Sequence, residues 1–164
     1  MSYREIGIKM NSLTSYKMVD KLYEASRAGV KVQMIVRGIC CLIPGVEGMS
    51  ENIEAISIVD KFLEHPRLFI FGNDGDPKIY ISSADWMGRN LNRRVEVTAP
   101  IYDESIQREI RDHFEILWKD NSKSRHLDAN QKNEYKVQQG PKINGQEELY
   151  GYVRKLLSKG SVWK

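Results

Sequence analysis

Apolar and polar residues alternate from Ile6 to Met10, with Gly7 and Lys9 between them, and this period of two predicts a strand. Asn11, Ser12, Thr14 and Ser15 then supply N-cap chemistry. From Tyr16 the spacing changes to that of a helix, with Met18, Val19, Leu22, Tyr23 and Ala25 on one stripe and Gly29 as its stop. Val30 to Val36 is β-branched and predicts a second strand, so the opening forms a β-α-β unit with parallel strands and a right-handed crossover. Residues 37–52 carry Gly38, Pro44, Gly45 and Gly48 and predict a loop over the strand ends. Ile56 to Leu63 is expected to be a short helix. Arg67–Phe71 and Lys78–Ser82 are expected to be strands joined through an Asn-Asp-Gly turn, that is, a hairpin. Arg94–Thr98 is expected to be one more strand, and Asp103–Trp118 an amphipathic helix with Ile106, Ile110, Phe114 and Leu117 on one face. Lys119 to Gly145 is polar and without apolar period, an extended segment that wraps or trails. Gln146–Leu157 predicts a last helix. The whole is an α/β class with a mixed sheet.

Composition changes this picture little. The 164 residues, 41% of them hydrophobic, suit one domain with a real core. With 25 basic and 22 acidic side chains, the formal charge is +3, which says nothing of partners until the arginines are placed. Cys40 and Cys41 are adjacent, too close in the chain to staple the fold, and no histidines cluster with them as in a zinc site. They are expected to be a reduced pair, one or both packed near a strand end beside Arg37, which points to the cytoplasm. No signal peptide is expected at the start, and no run reaches the ~18 apolar residues of a membrane span.

Three histidines are present. His113 falls within the amphipathic helix and is expected to be half-exposed, and His126 falls in the polar segment and is expected in solvent. His65 stands before a strand, beside Pro66, with Arg67 two residues on. A histidine there is often structural, but its company suggests otherwise. Arg37 closes a parallel strand, where open α/β sheets bind ligands. Arg89, Arg93 and Arg94 lie between two strands, and arginines at strand ends suit phosphate recognition. The competing reading pairs them with Glu96, Glu47 or Glu51. Ser82 and Ser83 follow a strand and are candidates to donate to an anion. The bland alternative is a helix cap at Ser83 or Asp85. Lys9 and Asn11, at the end of the first strand, are further candidates for phosphate contact. Their alternative is capping and solvent. Neither a Walker run nor a Gly-x-Gly-x-x-Gly run is present, so phosphate handling here rests on side chains.

Five collinear blocks carry a resemblance. KMNSL (9–13), AGVKVQMIVRGICCLIPGV (28–46), SENI (50–53), FLEHPR (62–67) and YISSADWMGRNLNRRVEV (80–97) resemble the C-terminal domain of bacterial polyphosphate kinase, and RHLDANQKN (125–133) continues it faintly. The resemblance implies a phospholipase-D-like domain over residues 1–118, with a mixed, mostly parallel sheet flanked by helices. Residues 119–164 would be a polar tail and terminal helix packed on or following that domain. His65-Pro66-Arg67 stands where that superfamily has His-x-Lys, and Ser-Ser-Ala-Asp-Trp where it has Gly-Ser-Ala-Asn-Trp. The superfamily's Asp would fall on Gly72, beside Asn73. Its absence speaks against a phosphodiesterase or nuclease half-domain, which is the second reading. A non-catalytic polyanion-binding module is the third.

By this resemblance the activity is reversible transfer of the terminal phosphoryl group of ATP to polyphosphate, with Mg2+. It passes through a phosphohistidine in a preceding domain, so the isolated fragment is expected to be inactive. The ATP and phosphate contacts map onto Arg37 and His65, with His65 also catalytic. Arg67, Arg89, Arg93, Arg94, Ser82 and Ser83 form a second tier for polyphosphate. The expected partners are ATP or ADP, inorganic polyphosphate and the remaining domains of the same enzyme, with homo-oligomers formed largely through those domains and no nucleic acid.

Overall fold

The computed structural model describes residues 5–137 and 140–158. Among these residues one seven-stranded sheet runs in the order β6-β5-β4-β1-β2-β3-β7. β1 (Glu5–Met10), α1 (Tyr16–Arg27) and β2 (Lys31–Val36) form the anticipated β-α-β unit, with Ile8 paired to Met34 in parallel. Gly29 takes φ +79° just past α1, a left-handed conformation that frees the chain to turn into β2.

β3 (Ile53–Ile58) takes the start of the short helix expected from Ile56 to Leu63, and residues 59–63 are irregular. It runs parallel to β2 and is buried on both faces: Ile53 and Ala55 enter the core on the α1 side, Ile56 and Ile58 the core on the other. A strand buried on both faces shows no period of two, so its apolar run reads equally as helix.

β4 (Arg67–Phe71) and β5 (Lys78–Ser82) form the expected hairpin, with Asn73 and Asp74 at positive φ in the connecting turn. The next strand falls later than expected. Residues 88–93 form a short helix, α2 (Gly88–Arg93), Arg94–Val97 is irregular, and β6 spans Thr98–Ile101 against β5. α3 (Glu104–Trp118) follows, with the Asp103 carboxylate accepting from the Ser105 and Ile106 N–H groups as its N-cap.

The polar stretch after α3 does not trail away. β7 (Ser124–Leu127) completes the sheet antiparallel to β3, and α4 (Gly145–Ser158) packs on α3. Asp120 organises this return: one carboxylate oxygen accepts from the Ser122, Lys123 and Ser124 N–H groups and the other from Gly145. The cation of Lys136 also donates to the Trp118 carbonyl and lies over its ring.

The sheet is mixed, as expected, but its parallel part is the smaller. Only β1-β2-β3 pair in parallel; the pairings of β1 with β4, β4 with β5, β5 with β6 and β3 with β7 are antiparallel. The hairpin causes this, because β4 enters beside β1 in reverse and carries β5 and β6 with it. It also brings the start of β4 next to the ends of β1 and β2.

Candidate functional site

Asn11 leaves β1, Arg37 leaves β2, His65 precedes β4 and Asp85 follows β5, and all four converge at one end of these interior strands. Asp85 is the hub. Its carboxylate accepts the Asn11 backbone N–H at 2.8 Å, the Asn11 side-chain amide at 3.2 Å and the Ser12 N–H at 3.2 Å. Its second oxygen takes the Arg67 guanidinium at 3.0 Å. Asp85 is only 5% exposed, and burial alone disfavours its charge; Arg67 and the N–H groups of Asn11 and Ser12 outweigh that and hold the carboxyl below its ordinary range.

The next residue extends the grip. The Trp86 carbonyl accepts from the Thr14 and Ser15 N–H groups, both at 2.9 Å, while its ring stacks on Phe69 at 5.1 Å. The Asp85-Trp86 pair thereby satisfies four N–H groups of the loop between β1 and α1.

Asn11 passes this order on. Its side-chain oxygen accepts from Arg37 Nε at 2.7 Å, and the other end of that guanidinium meets His65 Nδ1 at 3.3 Å. Arginine only donates, so Nδ1 accepts here, and the proton of the neutral ring sits on Nε2; His65 as a whole is exposed. Gly38 makes the approach feasible. Its N–H donates to the Asn11 carbonyl at 2.8 Å, and a Cβ at this position would meet that same oxygen at 2.8 Å.

The site thus brings together Arg37, His65 and Arg67, with Asn11 and Asp85, which composition and motif did not single out as its centre. The signal for Asp85 lay in its block after β5, where a cap was an equal reading. Arg67 is shared with Asp85 and half-buried, with a buried Nε that finds no hydrogen-bond partner among the described residues. The serines serve the fold. Ser82 Oγ bonds Thr98 Oγ1 at 2.8 Å and accepts from the Ala84 N–H, and Ser83 Oγ donates to Glu96 and accepts from the Val97 N–H. Arg89, Arg93 and Arg94 are exposed. Glu96, held low in pKa by Ser83 and Asn90, lies within electrostatic reach of Arg94 and Arg67. Cys40 and Cys41 are free thiols; burial pushes that of Cys40 up.

His113 is partly buried, in line with the half-exposed expectation, but its Nε2 is buried with no hydrogen-bond partner among the described residues, and burial with the nearby Lys9 lowers its pKa to about 4. One expectation is corrected. Gly72 lies beyond the far end of β4, its N–H bonded to Glu5, about five strand residues or roughly 16 Å from the His65 end. A carboxylate missing there leaves His65 untouched and does not separate a kinase from a phosphodiesterase. His126 is exposed on β7, as expected.

The class follows from the fold. The chain superposes on Nuc from Salmonella typhimurium, a phospholipase D family member, with a TM-score of 0.59 at 14% identity, covering 77% of this chain and 84% of that one. The architecture is therefore that of a phospholipase-D-like domain. Over residues 2–146 the sequence matches the polyphosphate kinase C-terminal domain 2, and the chain belongs to that family. It is 48% identical over 153 residues to a polyphosphate kinase of Vibrio cholerae, covering 92% of this chain and 22% of that protein. The crystal structure of polyphosphate kinase from Porphyromonas gingivalis matches with a TM-score of 0.89 at 41% identity, covering 92% of this chain and 23% of that one. The chain thus spans about a fifth of the length of these relatives.

Proposed function

We propose that this chain is the nucleotide- and polyphosphate-facing part of a polyphosphate kinase, which transfers the terminal phosphoryl group of ATP reversibly to polyphosphate. The observation that supports it is the contact between Arg37 and His65, aligned by Asn11 and Asp85 at the ends of interior strands in a chain of this family. Phosphoryl transfer needs positioned charge on the equatorial oxygens more than covalent chemistry from every side chain. Arg37 offers a planar fork of donors, and His65 an Nε2–H that donates to a phosphate oxygen or exchanges a proton with it. The phosphorylated histidine belongs to the preceding domain, which faces this site and completes it. Self-association of the enzyme runs largely through such further domains. Arg89, Arg93 and Arg94 extend the cationic surface along which polyphosphate lies.

Among the described residues no three carboxylate, histidine or cysteine side chains converge into a dedicated metal cage, and the Asp85 oxygens are already occupied by donors. Magnesium usually keeps several waters and binds through substrate phosphates, so it enters with the nucleotide. The cytoplasm, where ATP is abundant, is the proposed location; no helix among the described residues is long and apolar enough to cross a membrane.

The test is ATP formation from ADP and polyphosphate by the full-length enzyme, comparing wild type with His65→Ala, Arg37→Ala and His126→Ala. His126, exposed on β7, is the control in place of His113, whose Nε2 is buried. Loss with the first two and retention with the third is expected. Full activity in a folded His65→Ala enzyme would remove His65 from the site. Hydrolysis of a generic phosphodiester, with no ATP formed, would favour the phosphodiesterase reading.

A further inference from the structure

Lys9 is a cation in the wrong place for stability alone. Its neighbours Ile8 and Met10 enter the core on the α1 side, so Lys9 projects to the opposite face, where it is 2% exposed. Burying an ammonium costs more than burying a methionine of similar length, unless the charge holds something an apolar chain cannot. Here it holds two groups: the Glu64 carboxylate at 3.5 Å and the Pro66 carbonyl at 3.3 Å. These residues flank His65 on either side.

The same segment is gripped from the C-terminal part of the chain. Gln146, at the start of α4, accepts the Phe62 N–H at 2.9 Å, donates to the Phe62 carbonyl at 2.8 Å, and reaches Glu64 at 3.4 Å. Residues 62–66 belong to no helix or strand, so these contacts stand in for a hydrogen-bonded ladder.

We propose that Lys9 is a positioning residue: through Glu64 and Pro66 its ammonium sets His65 against Arg37, and the site is fully assembled only while that ammonium is charged. The proposal rests on the kinase reading for its activity test but not for its structural one. The charged or titratable groups facing Lys9 are Glu64 from the His65 segment, Arg37 from the end of β2, Arg67 from β4 and His113 from α3. Burial, aided by Arg37 and Arg67, lowers the Lys9 pKa to about 8, with Glu64 opposing. A neutral amine can still donate to Pro66, but it no longer attracts the Glu64 carboxylate. Loosening therefore begins in the mildly alkaline range.

The experiment compares full-length wild type with Lys9→Met, Lys9→Arg and Glu64→Gln. Two readouts are taken: the pH profile of ATP formation from ADP and polyphosphate, and amide hydrogen exchange of residues 62–67 against β2. Wild type should lose kcat along an alkaline limb near pH 8. Lys9→Arg should retain activity and lack that limb, since a guanidinium stays charged beyond pH ~12. Glu64→Gln should move the limb to lower pH, because Glu64 is what raises the Lys9 pKa. Lys9→Met should lose roughly ten- to a hundredfold in kcat and deprotect residues 62–67 while β2 stays protected. Wild-type rate and protection in Lys9→Met, or a limb unmoved in both Lys9→Arg and Glu64→Gln, would overturn the proposal. Deprotection of 62–67 in Lys9→Met, in an enzyme whose wild type forms no ATP, would sink the kinase reading and support the clamp.

Discussion

Asp85 and Asn11, 74 residues apart, meet through the Asp85 carboxylate and both the backbone and side-chain nitrogens of Asn11. The same carboxylate neutralises Arg67, so removing it strands a half-buried guanidinium and releases Asn11 from Arg37. Asp85→Ala should therefore destabilise the fold by about 3 kcal/mol, as breaking a buried pair does. Urea denaturation measures it. Asp85→Asn should recover part of the stability, since an amide still accepts from Asn11, but not the Arg67 ion pair. An Asp85→Ala protein as stable as wild type would show that the hub is decorative.

Gly38→Ala tests alignment separately from charge. The added methyl would sit 2.8 Å from the Asn11 carbonyl and 3.0 Å from Ser12 Oγ, so the backbone after Arg37 must shift. The expected result is a loss of kcat/KM on the order of 10- to 100-fold, with a far smaller change in stability. Unchanged kinetics would mean that the close approach of Gly38 to Asn11 does not set the position of Arg37.

His113 gives the domain a pH dependence of known sign. Its folded pKa of about 4 lies below the ordinary value of 6.5, so the unfolded chain binds the extra proton between those values. Stability is full above pH 6.5 and declines as pH falls toward 4, by at most about 3 kcal/mol. Asp85 and Asp103, whose pKa values are depressed, add their losses at lower pH still. His113→Phe should flatten the decline between pH 6.5 and 4 in thermal melts and leave the steeper acid loss in place. A wild-type slope in that variant would assign the window to another group.

Polyphosphate binding by the full-length enzyme should weaken steeply with salt, as counterion release dictates for a linear polyanion. Reversing Arg89, Arg93 and Arg94 together to glutamate should lower both the affinity and the slope of log Kd against log salt. A slope the same as wild type would place the polyanion track away from α2.

Much of this was legible along the chain. The helical stripe from Met18 to Ala25 buries one face, so local pattern and tertiary environment agree, and the period of two through Ile6–Met10 marked a strand even though Lys9 on its other face is buried as well. The Asn-Asp-Gly turn declared the hairpin, and the repeat of Ile106, Ile110, Phe114 and Leu117 declared α3. Arg37 and His65 stood out by their strand-end positions and by their family blocks.

What sequence alone could decide stops where the signal depends on a distant partner. Ile53–Ile58 is a strand because β2 and β7 flank it, and the Ser124–Leu127 stretch is a strand because β3 offers an edge. Asp85 became the hub because β4 enters antiparallel to β1 and carries the end of β5 to the end of β1. His113 read as an ordinary half-exposed residue and Lys9 as a candidate for phosphate contact, yet burial between the sheet and α3 lowers the pKa of both. Local periodicity reports the average side on which a residue lies; hydrogen-bond partners and desolvation belong to the packed neighbours, and only the tertiary structure supplies those.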